Sequence, residues 1–187
     1  MKSASALIVF VPVVFVMAAF ASIVYAAPAA AQDHAAIASA EAACGPKDAI
    51  FEAKQDAMQH PVAQPDSGKA VVYMVQEVGA IPCKGCALTK VGMDGAWVGA
   101  NQGSSYFFFS AEPGEHHLCV NWQSRLEERS RAFAMANFVA EAGKVYYFRI
   151  RIFPGHADYT FDLDAVNPDQ GKFLVAASAF SASHPKK

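Results

Sequence analysis

Beyond residue 68, apolar and polar positions alternate along most of the chain, and the alternation predicts strands. In Lys144–Phe153, KVYYFRIRIF, one face carries Tyr146, Phe148, Ile150 and Ile152. The other carries Tyr147, Arg149, Arg151 and Phe153. Asp158–Val166 repeats the pattern, with Tyr159, Phe161, Leu163 and Ala165 opposite Thr160, Asp162 and Asp164. Further strands are expected over Lys69–Val78, Thr89–Met93, Ala96–Ala100, Ser104–Ser110, Glu115–Gln123 and Arg131–Ala140, which are β-branched or aromatic and bounded by turn residues. Asp94-Gly95 suits a two-residue type I′ hairpin, where both central residues need positive φ. Pro113-Gly114 and Ala142-Gly143 mark turns, and the charged run Ser124–Ser130 reads as a long loop. The period changes at Asn167, a capping residue followed by Pro168 at the first helical position and Gln170 at the third. A short C-terminal helix over Pro168–Ala177 follows. Seven or eight short strands with one helix, and no βαβ alternation, describe an all-β antiparallel β-sandwich. The same pattern argues against Rossmann and thioredoxin folds.

The N-terminal third has a different texture. Lys2 precedes the apolar run Leu7–Phe20, and Val24-Tyr25-Ala26 fits a small-x-small cleavage rule. Residues 1–26 therefore read as a secretory signal peptide, and Ala29–Ala31 offers a second cleavage site. The competing reading is an uncleaved membrane anchor, since Leu7–Tyr25 approaches the length of a spanning helix. Residues 27–67 form an Ala-rich leader and then an irregular arm, with one short strand near Ile50–Lys54. Residues 68–180 form the sandwich, and 181–187 a flexible tail. Without Lys2, 14 basic residues face 17 acidic ones with no basic patch, so nucleic acid is not an expected partner. Localisation is expected to be periplasmic or extracellular. A membrane enters only if the signal stays uncleaved.

Export changes how the four cysteines read, because thiols outside the cytoplasm pair. In HHLCVNW, Leu118, Val120 and Trp122 form the apolar face, so His117, Cys119 and Asn121 point away from the core. Cys119 is then placed to staple something lying outside, such as the arm at Cys44. Expected pairs are Cys44–Cys119 and Cys83–Cys86. Cys83-Lys84-Gly85-Cys86 also admits a redox reading, which needs a helix N-terminus after the first cysteine. A haem site needs histidine where Ala87 stands, and zinc needs a second ligand pair that Cys44 and Cys119 do not make.

His116 and His117 are adjacent on a strand and point to opposite faces, so they do not chelate one ion together. His116 is expected to cap the edge of the core beside Leu118, and His156 to lie in a loop. Glu127-Glu128 and the pair Asp162 and Asp164 read as solvated charge. Tyr106, Phe107, Phe108 and Phe109 are consecutive and cannot all face one core. Tyr106, Phe108 and Tyr147, with Arg149, make a candidate exposed binding face; the competing reading is a packing layer beneath the arm. No nucleophile elbow or phosphate loop occurs, and no cofactor is indicated.

Four stretches, Gly68–Val75, Val91–Gly95, Pro113–His116 and Glu141–Tyr147, together resemble the DUF2846 family of exported bacterial domains of unknown function. The resemblance covers roughly Gly68 to Val166. It implies a transthyretin- or carboxypeptidase-regulatory-like, Ig-like sandwich, and carries over no catalytic residues. Many members resemble lipoproteins, whereas this chain has no cysteine just after the apolar run.

These observations lead to an exported, non-enzymatic domain that binds a protein or cell-envelope component. The alternative is a disulfide-active thiol oxidoreductase or redox sensor using Cys83 and Cys86.

Overall fold

The computed structural model describes residues 42–78, 88–123, 133–154 and 159–186. Residues 1–26, expected to be a signal peptide, Cys83, Cys86, the expected loop 124–130 and His156 lie outside them. Among the described residues no helix is long and apolar enough to cross a membrane.

Among the described residues these elements follow in order: β1 Phe51–Asp56, β2 Ala70–Val78, β3 Leu88–Met93, β4 Ala96–Gln102, β5 Ser105–Ala111, β6 Gly114–Trp122, β7 Phe133–Ala140, β8 Val145–Pro154, β9 Tyr159–Val166, helix α1 Pro168–Ala176 and β10 Ala179–Pro185. Two sheets result. One has six strands in the order β1-β10-β5-β2-β8-β9, the other four in the order β4-β3-β6-β7.

The sheets share a core. Val72 and Met74 of β2, Phe148, Ile150 and Ile152 of β8, and Phe161 and Leu163 of β9 supply one side; Val91 of β3 and Leu118, Val120 and Trp122 of β6 supply the other. These are the apolar faces that alternation assigned. Asp94 and Gly95 take φ of 53° and 85°, the left-handed pair that a type I′ turn requires.

Two expectations need correction. The six-stranded sheet is mixed, because β2 pairs with β8 in parallel over Val71–Val78, and β10 pairs with β5 in parallel. Alternation identifies a strand and its buried face, but the partner is set by the path through β3 to β7, which returns the chain beside β2 in the same direction.

The tail is the second correction. Residues 179–185 form β10, which pairs antiparallel with β1 from Phe51↔Pro185 to Asp56↔Phe180. Its residues are small and polar, so no apolar period announces it. Hydroxyls hold it instead. Ser181 Oγ donates to Ala100 O at 3.0 Å, and Ala100 N donates to Ser183 Oγ at 2.9 Å. β10 thus ties the open edge of β4 to the other sheet.

The arm crosses the outer face of the four-stranded sheet. Cys44 and Cys119 are disulfide-bonded with Cα atoms 5.0 Å apart, and both are buried. The arm lies so close that a side chain at Gly92 would collide with the Cys44 backbone. Trp97 Nε1 donates to Pro46 O at 2.7 Å. Lys90 Nζ donates to Ala49 O at 2.9 Å and lies 4.3 Å from the Trp97 ring centroid. Burial lowers the Lys90 pKa, with Asp48 opposing.

Candidate functional site

The outward face of the six-stranded sheet is aromatic. Strand β2, AVVYMVQEV, lacks polar alternation because both its faces are covered. Val72 and Met74 go to the main core, while Val71, Tyr73 and Val75 go to a second cluster with Tyr106 and Leu174. Tyr73 lies central, between Tyr106 of β5 and Tyr147 of β8. It stacks on Tyr147 with centroids 5.1 Å apart, and its centroid is 5.3 Å from that of Phe108.

Two elements cover this layer. Helix α1 starts where Asn167 Oδ1 accepts from Gln170 N at 2.9 Å, with Pro168 in the first turn. Gly171 faces Tyr147 with no space for a side chain, so glycine at this position lets the helix seat on the ring. Leu174 is buried behind it. From the other side, Pro61 O accepts from Tyr106 Oη at 3.1 Å, and Ala63 N donates to Tyr73 Oη at 2.8 Å. Phe180 of β10 closes over Tyr106 and Phe108.

Between the two covers a cleft of about 360 Å³ remains. Tyr73, Tyr106 and Tyr147 form its floor. His60 and Val62 of the arm form one wall, and Lys172, Val175 and Ala176 of α1 the other. Val62 stands 79% exposed at the mouth. Burial raises the pKa of all three tyrosines, so their hydroxyls stay neutral.

The expected exposed face is therefore mostly a packing layer. Tyr106 is fully buried, Phe108 and Tyr147 are half-buried, and the arm and helix lie on them. The polarity of β8 did place Tyr147 outward, but outward from the main core means toward α1. Arg149 stays apart from the cleft. Its guanidinium lies 3.7 Å from both Glu77 and Asp164, and Arg151 contacts Asp162 and Asp164 at 3.1 and 2.7 Å. The two aspartates expected to be plain solvated charge are thus ion-paired. Sequence reasoning missed Tyr73, His60, Val62 and Lys172 as members of the site. Tyr73 was findable, since its parity in β2 puts it opposite Met74. The wall residues carry no such signal.

His116 is held at two points. Nδ1 lies 2.6 Å from Asp94 Oδ2 and Nε2 lies 2.7 Å from Glu112 O. Both neighbours are acceptors, so both ring nitrogens donate and the imidazolium form fits. Burial works against the charge, but the Asp94 hydrogen bond and the Glu112 carbonyl outweigh it, and the His116 pKa is raised. Burial likewise works against the Asp94 carboxylate; His116 and the His117 N–H prevail and lower its pKa. With both nitrogens donating, His116 has no lone pair for a metal or a substrate proton. His117 is exposed and contributes its backbone N–H to Asp94 at 2.8 Å. Among the described residues no group of three or more His, Cys, Asp or Glu could hold a metal ion.

A search of curated proteins finds no match to this chain. The matching family profile covers residues 66–162, just over half of the 187 residues, spanning β2 to the middle of β9. The tyrosine floor falls inside that range, and both cleft walls fall outside it. The four motifs, the two-sheet core and this match together make the chain a member of the DUF2846 family, described as a protein of unknown function.

Proposed function

We propose that this chain is an exported, non-enzymatic β-sandwich of the transthyretin or carboxypeptidase-regulatory type that binds a small component of the cell envelope. Its binding element is the tyrosine cleft. One observation carries the reading: a concave, mostly apolar site of ligand size lies between the arm and helix α1, with its floor rings already packed against one another. Preorganised rings lose little freedom on binding, so their burial against a ligand is turned into affinity. Export is supported by the apolar run after Lys2 and by the buried Cys44–Cys119 bridge. The alternative, thiol chemistry at Cys83 and Cys86, concerns residues outside those described, and no structural observation favours it.

The test is saturation-transfer NMR with a set of small apolar fragments on the wild type and on Ala176→Trp, whose indole would fill the cleft. Several fragments should bind the wild type and be lost in the variant at an unchanged melting temperature. Val62→Trp fills the cleft from the arm side, and guards against a disturbed helix end. Fragments that ignore both substitutions, or none that bind the wild type, would contradict the reading.

A further inference from the structure

The charge around the cleft narrows what it can hold. Among the described residues, the charged or titratable wall groups are Lys172 on the helix and His60 on the arm, with no aspartate or glutamate in the lining. Among the described residues Lys172 is in no ion pair. Two floor hydroxyls, those of Tyr73 and Tyr106, already bond the arm at Ala63 and Pro61. The floor thus offers a ligand ring surface and the Tyr147 hydroxyl, and the exposed Val62 continues the apolar surface at the mouth.

We propose that the cleft binds a compact apolar molecule bearing a single carboxylate, its body against Tyr73, Tyr106 and Tyr147 and its head at Lys172. This inference rests on the reading of the cleft as a binding site. A volume of about 360 Å³ is at the low end for ligand pockets, which suits a small molecule rather than a chain segment. A sugar fits poorly, because its several hydroxyls would lose water against ring and valine surface where Tyr147, His60 and Lys172 supply too few partners. A cation would meet Lys172 with no carboxylate to offset it. A carboxylate gains a charge-assisted hydrogen bond at the rim, where its remaining oxygen lone pairs stay in water. The class has two natural bodies, an aromatic ring system and a medium-length alkyl chain, and both match the mixed ring and valine lining.

Calorimetry on the full mature chain with naphthoate and decanoate, each beside its neutral alcohol, tests the proposal. At least one carboxylate should bind about tenfold more tightly than its alcohol. Lys172→Gln should bring the carboxylate's affinity down to that of its alcohol. Ala176→Trp should abolish both. The tighter of the two acids identifies the body. Equal binding of acid and alcohol, or a preference that survives Lys172→Gln, overturns the charge assignment and leaves the cleft a neutral apolar site. Failure of all four compounds overturns the binding reading itself.

Discussion

At the scale of single residues, the most informative polar contact is the one between His116 and Asp94. It joins the β3–β4 turn to the start of β6, and it makes stability depend on pH in a definite direction. The folded pKa of His116 is raised above its ordinary 6.5, so its contribution is complete below that value and fades as pH rises through the folded pKa. Asp94 is lowered from its ordinary 3.8, so its contribution is present above that value and fades in acid. The pair thus stabilises most between these two pH values. Asp94→Asn should keep the turn, because asparagine accepts positive φ, while removing the charge. Urea midpoints should show the wild type ahead by about 1 kcal/mol near neutral-to-acid pH, a figure held down by the exposed carboxylate. The gap should close toward alkaline pH. A gap that widens there would mean that His116 is neutral in the fold.

Elements show what the sequence pattern can and cannot carry. The main core was legible because Phe148, Ile150 and Leu118 recur at strand spacing, and because Asp94-Gly95 admits few other turns. The helix was legible from Asn167-Pro168 and Gln170, whose capping bond forms as expected. The cleft was half legible. Tyr106 and Tyr147 could be placed on the outer face, but nothing in a strand's own period says which distant element covers it. β10 was not legible at all, since AFSASHP has small and hydroxylic residues whose partners, the carbonyl and amide of Ala100, are 81 and 83 residues away in sequence. Those bonds predict a measurable cost. Replacing both Ser181 and Ser183 by alanine leaves a buried backbone carbonyl and its amide unpaired, which should cost about 2–3 kcal/mol together. Chemical denaturation checks this, and a loss under about 0.5 kcal/mol would show that water replaces the hydroxyls.

For the whole molecule, a domain of two sheets carries an additional outer layer on each side. The arm 42–50, anchored by the Cys44–Cys119 bridge, covers the four-stranded sheet; the arm 60–63 and α1 cover the six-stranded one. The bridge closes a separation of 75 residues, which in the chain-entropy account stabilises by about 4 kcal/mol. One continuous arm therefore fixes both covers, and the cleft is where the second cover is incomplete. Its floor comes from the part of the chain shared with the DUF2846 family, and its walls from elements flanking that part. On the proposed binding role, the floor supplies apolar surface and the walls supply selectivity. Methyl-resolved NMR of the protein, titrated with an apolar carboxylate such as naphthoate, tests this division most directly. The account predicts shifts concentrated on the methyls of Val62 and Val175 on the two walls, with Val139 of β7 unmoved. Shifts centred on Val139 and Met135, or none at saturating ligand, would contradict it.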